Sequence, residues 1–315
     1  MKTCYFVFFA ILIHVSMFAR AEPAPLNASG PEVIKCGVLP TALYDFDNVN
    51  NEFSSSFYLW CNSKNPDFKI NKTLEITNAL KFKAKFADLS KRGETYLTTM
   101  RFFAKVYHEW DMTNFPFDRQ TLKIHLEDGL HDTDSLSFVA DPSSHVSRDV
   151  ILDDWELENF KLTSEPHVYH TSFGLQKEQS AFSRMTLTFE IKRKGWRNFV
   201  NYFLGFFVAI LLSLLACFVK SERFSIILGA VFSLIGTKFV LDQTLPAAGG
   251  LALSDHLELA SFTFVLATAL LVAIESRQED NAGKRLSAVN LGLVAALFCA
   301  YLAYVGVHVF VAYNS

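Results

Sequence analysis

Four apolar stretches fill most of the last 120 residues, at about Phe199–Val219, Phe224–Leu245, Leu257–Ile274 and Ala288–Ala312. A helix rises 1.5 Å per residue, so about 20 such residues cross a ~30 Å hydrocarbon core. Charge is distributed to match. Of the 61 Lys, Arg, Asp and Glu residues, only 14 lie in Trp196–Ser315, and 47 lie in the first 195. The first part has the charge density of a water-soluble domain, and the second is too poor in charge to be one. Whole-chain averages of 50% hydrophobic residues and a net charge of −3 hide this division. The pattern excludes a disordered or collagen-like chain. Without a basic run, nucleic acid is not expected as a partner.

The N-terminus sets the compartment. Lys2, the apolar run Cys4–Phe18 and Ala19-Arg20-Ala21 make a basic n-region, a short h-region and a small-x-small site. This predicts a secretory signal peptide over residues 1–21, because about 15 apolar residues are short for a span. A soluble domain over 22–195 and a membrane domain over 196–315 follow. Lys220, Arg223, Arg277, Lys284 and Arg285 all fall in the first and third connections between apolar stretches, and the middle connection has no Lys or Arg. The positive-inside rule then places the N-terminal domain and the C-terminus outside. The expected location is a cell (inner) membrane, with multiple passes and a periplasmic or extracellular domain.

The soluble part reads as β. Phe82, Ala84 and Phe86 alternate with lysines, Leu122, Ile124 and Leu126 with polar residues, and Met185, Leu187, Phe189 and Ile191 likewise. Period-2 alternation means one buried face and one wet face, which predicts an antiparallel β-sandwich. Paired residues of an antiparallel hairpin keep a constant sum of positions. Pairing Cys36 with Cys61 centres a hairpin between Asn48 and Val49, inside the turn-forming run Asp47-Asn48-Val49-Asn50-Asn51. Opposed residues lie within disulfide range, and export permits oxidation, so a Cys36–Cys61 bridge is expected. Cys217 and Cys299, in apolar stretches, read as small core residues.

The run Phe115-Pro116-Phe117-Asp118-Arg119-Gln120 resembles the signature loop of the pentameric ligand-gated ion channels, the Cys-loop receptor superfamily. So do Phe57-Tyr58-Leu59-Trp60, Trp155-Glu156-Leu157, Glu190-Ile191-Lys192-Arg193 and Leu245-Pro246, in order along nearly the whole mature chain. The two cysteines that bracket the loop in animal members correspond to His108 and Leu122, as in prokaryotic relatives. The usual first-span proline is missing. The resemblance implies a homo-oligomer, most simply a pentamer, in a lipid bilayer, opened by an unidentified small-molecule or ionic ligand.

It also implies roles for particular residues. Counted back from Leu245-Pro246, the pore-facing set is Glu222, Ser225, Gly229, Phe232, Gly236, Phe239 and Gln243, spaced 3, 4, 3, 4, 3, 4 as one helical stripe. A Glu222 ring would favour cations, and Phe232 and Phe239 would close the path by dewetting. Gly229 and Gly236, seven apart, equally suit close helix packing in a non-conducting sensor or binding scaffold of the same fold. Lys238 is costly inside a bilayer, and Asp242, Asp255 and Glu258 are its candidate partners. Coupling between domains would run through Asp47, Phe115, Pro116, Phe117, Asp118, Arg193, Leu245 and Pro246. Asp118 would pair with Arg193, and the two phenylalanines would wedge against Leu245-Pro246. A ligand site between subunits would use Tyr58 and Trp60 of one copy with Tyr169 and Phe173 of the next, where aromatic faces suit cationic amines. His167 and His170 read as a solvated loop pair. No metal or cofactor is called for, and no hydrolase, metalloprotease, redox or nucleotide motif points to an enzyme.

Overall fold

Alternating apolar residues decide the first half of the chain. β1 (Glu32–Asp47) and β2 (Glu52–Ser63) form a hairpin, followed by one turn of helix, α1 (Ile70–Thr73), and β3 (Leu74–Ile76). β4 (Ala79–Arg92), β5 (Thr95–Tyr107), β6 (Arg119–Asp128), β7 (Leu136–Ala140), β8 (Trp155–Tyr169) and β9 (Ser180–Arg193) complete the strands. The computed structural model describes residues 30–66, 68–174, 179–219, 221–245, 250–282 and 288–315. The expected signal peptide, Lys220, Pro246, Lys284 and Arg285 lie outside the described residues.

The strands form two sheets, ordered β4-β5-β2-β1-β7 and β3-β6-β9-β8. Their inner faces make the core. Leu122, Ile124 and Leu126 of β6 are fully buried, as are Met185, Leu187, Phe189 and Ile191 of β9. Leu122 faces Phe189, Ile124 faces Leu187 and Leu126 faces Met185. Two features depart from the expected pattern. β7 joins β1 in parallel, because the chain crosses from the other sheet before reaching that edge. On β4, Phe82 and Ala84 are exposed rather than buried. β4 is the outermost strand of its sheet, so among the described residues its apolar side chains have little cover beyond the Phe82–Phe102 contact.

The hairpin β1–β2 holds the disulfide. Cys36 stands opposite Cys61, with a Cα–Cα distance of 4.1 Å and the sulfurs bonded. Bulges between Pro40 and Ala42 and between Tyr44 and Asp47 shift the register, so the turn is centred between Val49 and Asn50. Asp47 closes that turn, its Oδ1 accepting the backbone N–H groups of Val49 (3.0 Å) and Asn50 (2.8 Å). Hydrogen bonds from the side chain and backbone of Asn50 hold the Asp47 carboxyl below the usual carboxylate range.

Length and hydropathy decide the second half. α2 (Gly195–Phe218), α3 (Arg223–Thr244), α4 (Leu253–Ala282) and α5 (Ala288–Asn314) follow β9. Among the described residues these four helices are long and apolar enough to cross a membrane. α4 runs past its apolar stretch at both ends, since backbone hydrogen bonding continues into water where hydropathy does not. α2 and α3 approach closely at Gly205, whose carbonyl accepts the Ser233 hydroxyl at 2.8 Å. A Cβ at Gly205 would overlap Thr237. Gly229 and Gly236 have no such role inside the chain: a Cβ at Gly236 meets nothing within 4 Å, and one at Gly229 meets only a Leu212 methyl at 3.8 Å. A buried Arg223–Glu275 ion pair (3.4 Å) ties the start of α3 to α4. Cys217 is buried as expected, but Cys299 is exposed, on a face of α5 that no other described helix covers.

The disulfide constrains a loop of 25 residues in the unfolded chain. Cys36→Ser with Cys61→Ser is expected to destabilise the β domain by about 2–4 kcal/mol. Thermal melting of the purified protein with and without reductant measures this. Reductant should lower the melting temperature of the parent and leave that of the double variant unchanged.

Candidate functional site

The end of β9 and the loop before β6 meet at one buried ion pair. Arg193 Nε donates to Asp118 Oδ1 at 2.7 Å, and Arg193 Nη2 donates to Oδ2 at 3.1 Å. The Asp118 side chain is 2% exposed and that of Arg193 10%. Two parallel charge-assisted bonds fix the relative orientation of both groups. The Arg193 backbone N–H also donates to the Asp118 carbonyl (3.1 Å). The guanidinium lies over Trp155 (4.1 Å) and beside Phe115 (5.2 Å), so aromatic faces replace the water it has lost.

A second polar clasp closes the loop. Gln120 Nε2 donates to the Asp111 carbonyl (2.8 Å) and to Asp118 Oδ2 (2.9 Å). Gln120 Oε1 accepts the Asp111 N–H at 3.2 Å. The positions that would carry bridging cysteines hold His108, near Gln120 and against Trp110, and the fully buried Leu122. Burial pushes the His108 imidazole pKa down, favouring its neutral form beside the amide.

From this clasp the loop reaches several helices. Phe115 meets Tyr202 edge-on at 5.2 Å. Phe117 packs on Trp196 (5.1 Å), Phe199 (5.5 Å) and Tyr313 at the end of α5 (5.6 Å). Gly195 starts α2 directly under the loop, where a Cβ would stand 2.5 Å from the Pro116 carbonyl oxygen. Thr113 accepts the N–H of Leu253 at the start of α4 (2.8 Å). The ring contacts of Phe115 and Phe117 are thus with α2 and α5. Leu245 is half-buried against the same core, and its neighbour Pro246 falls outside the described residues. Asp47 reaches this region through its carbonyl, which accepts Trp110 Nε1–H (2.9 Å), while its carboxylate stays in its own turn. Trp110 contacts Trp155 (5.8 Å), which carries Arg193. The sequence signalled no role for Trp110, Gly195 or Tyr313, and showed Gln120 and Trp155 only as members of matching runs.

On α3, Ser225, Phe232, Gly236, Phe239 and Gln243 are exposed and Gly229 is half-exposed, while Glu222, also exposed, caps the helix start in a left-handed backbone conformation rather than lying on it. The buried residues Arg223, Ile227, Ala230, Leu234 and Leu241 occupy the opposite face. At 100° per residue the two sets point in opposite directions. Ser225 donates to Glu222 Oε2 at 2.8 Å. Arg223 turns inward to Glu275, although its place in the sequence put it beside Glu222. Lys238 bridges two helices, with Glu258 of α4 at 3.1 Å and Asp242 at 3.4 Å. Asp255 instead accepts the N–H of Ala252 (2.8 Å).

The four aromatic candidates lie on different sheets: Tyr58 and Trp60 on β2, Tyr169 at the end of β8 and Phe173 just beyond it. They do not form one cavity within a chain. Trp60 covers Gly37, where no side chain would fit, and donates Nε1–H to Asp141 (3.2 Å). The Arg101 guanidinium sits over both Tyr58 (5.2 Å) and Phe103 (4.8 Å). Tyr169 meets His167, Phe173 and Phe182, donates its hydroxyl to Glu127 (2.9 Å) and accepts from Arg184 (3.1 Å). Burial, then Glu127, pushes the Tyr169 phenol pKa up.

Asp118→Asn strands a buried guanidinium and is expected to cost about 3 kcal/mol. Arg193→Lys should restore little, since lysine cannot make the two-point contact. Thermal unfolding of the purified variants compares them, and equal melting temperatures for Asp118→Asn and the parent would refute the role assigned to this pair.

Residues 44–195 match the family described as the neurotransmitter-gated ion-channel ligand binding domain. No curated protein matches the chain. With that domain followed by four helices fit to span a membrane, the chain is a multi-pass membrane protein with the architecture of the Cys-loop-type pentameric ligand-gated channels.

Proposed function

We propose that five copies of this chain surround an ion path lined by α3 and form a cation-preferring channel opened by a ligand at the exterior domain. One observation carries this reading. The stripe from Glu222 to Gln243 is turned away from everything α3 packs against in its own subunit, with Phe232 and Phe239 each 65% exposed. Lipid could cover the two phenylalanines alone, but the polar Glu222, Ser225 and Gln243 in the same stripe suit a water-filled axis or another subunit better. The uncovered apolar side chains of β4, Leu80, Phe82 and Leu89, fit a contact between neighbouring exterior domains. Glu222, with Arg223 turned inward to Glu275, supports a ring of negative charge at one mouth.

The aromatic faces favour a ligand other than the cationic amine expected from Tyr58 and Tyr169 alone. Both rings are already attended by arginines, Arg101 and Arg184. Arg101 Nε is buried without a hydrogen-bond partner among the described residues. A ligand with a carboxylate or other oxyanion would pair with the Arg101 charge, whereas an amine would meet like charge.

The alternative is a non-conducting pentameric sensor, in which the Phe232 and Phe239 rings pack permanently shut. Purified protein in planar bilayers separates the two. Phe232→Ala is expected to raise open probability, and Glu222→Ala to reduce cation selectivity, read as a shift in reversal potential. Arg101→Gln should weaken activation by an acidic agonist at least tenfold. Silence from parent, Phe232→Ala and Phe239→Ala alike would favour the sensor.

A further inference from the structure

On the outer face of the second sheet, the side chains of β8, β9 and β6 form rows of three. In one row Lys161 and Lys123 stand on either side of Thr188. In the next, Thr163 and His125 flank Thr186. In the third, Glu165 and Glu127 flank Arg184, which pairs with the Glu127 carboxylate. All of these residues but Glu127 line one groove of about 530 Å³.

The rows treat charge differently. Opposite charges on neighbouring strands stabilise a sheet, and the Arg184 row uses that device on both sides. The lysine row does not. Neither Lys123 nor Lys161 makes an ion pair among the described residues, and exposed Glu190, next along β9 on the same face, pairs with neither. What surrounds the two ammonium groups is hydroxyl-bearing: Thr121, Thr163, Thr186 and Thr188. The groove is also partly closed to water and electropositive. Burial first, then the charges of Arg184 and Lys123, push the His125 imidazole pKa down to about 4, against the pull of Glu127. His125 Nδ1 lies 3.1 Å from the Thr186 hydroxyl.

We propose that this groove binds a small phosphate or sulfate monoester, its oxyanion held between Lys123 and Lys161 over Thr188. Neighbouring strands lie about 4.8 Å apart, so β6 and β8 are about 10 Å apart across β9. Flexible four-carbon stems let both ammonium groups lean toward one oxyanion in that gap. Charge-assisted bonds from two lysines hold two of its oxygens, and threonine hydroxyls donate to the others. The groove falls within the range of about 300–1,000 Å³ that holds a small-molecule ligand, so there is room for more than an inorganic ion. Beyond the lysine row it is lined by His125, His167 and Glu165, which suit the hydroxyls of an uncharged remainder and repel a second anionic group.

The test uses the full chain in detergent, in phosphate-free buffer with about 0.15 M sodium chloride to screen loose surface charge. Calorimetric titration with glycerol 3-phosphate should show one saturable site per chain. Sodium sulfate should compete for it, and glycerol should not bind. Lys123→Gln and Lys161→Gln should each raise the dissociation constant at least fivefold, and Thr188→Val should raise it at least twofold. Lys83→Gln with Lys85→Gln, exposed lysines on the other sheet, should leave it unchanged. No saturable binding by the parent overturns the inference, as does an equal loss in the Lys83 and Lys85 double variant. Unchanged binding by both Lys123→Gln and Lys161→Gln overturns it too. Gel filtration and melting temperatures matching the parent establish that a loss of binding does not come from misfolding.

Discussion

The junction between sandwich and helices rests on the Asp118–Arg193 pair. Burying two charges costs several kcal/mol each, and Coulomb attraction offsets this only when the remaining hydrogen-bonding capacity is met. Here it is met: Gln120 donates to the carboxylate, Trp155 and Phe115 cover the guanidinium, and the two backbones are themselves hydrogen-bonded. Such a pair tolerates little displacement. It fixes the end of β9 against the loop, and α2 begins only two residues after Arg193. The position of the first span relative to the sandwich therefore depends on this contact, on the absence of a side chain at Gly195 and on the packing of Phe115 and Phe117 against α2.

The loop achieves its shape without a covalent closure. A Gln120 amide bound at both ends to Asp111 holds residues nine apart, and the aromatic rings of Phe115 and Phe117 anchor the tip among Tyr202, Trp196, Phe199 and Tyr313. A continuous run of contacts links the Asp47 turn to this tip through Trp110, Trp155 and Arg193. The β1–β2 hairpin is thus joined by packed groups to the first apolar helix.

Much of this was legible in order along the chain. Period-2 alternation located the β6 and β9 faces, and hairpin arithmetic found the cystine within one residue of the true turn centre, missing only the bulges. Alternation failed at β4, because a pattern states which face is apolar and not whether a second layer lies over it. Within the chain, the helix contact that needs a glycine is at Gly205, where the partner residues Ser233 and Thr237 belong to another helix, and no glycine spacing in the sequence marks it. For Lys238 the sequence offered Asp242, Asp255 and Glu258, and the fold chose among them, with Glu258 on the next helix the nearer of the two it pairs with.

Local chemistry repeats at short, fixed spacing, so the sequence alone determined the division into a charged β domain and four spans, the pairing of Cys36 with Cys61, and one helical stripe from Glu222 to Gln243. Contacts between residues far apart in the chain have no such period. Only the tertiary structure decided that this stripe faces away from its own subunit, that Arg223 turns inward to Glu275, and that arginines occupy the aromatic faces of Tyr58 and Tyr169. Each of these depends on how one element is rotated against another, and that rotation is set by packing, which no single segment encodes.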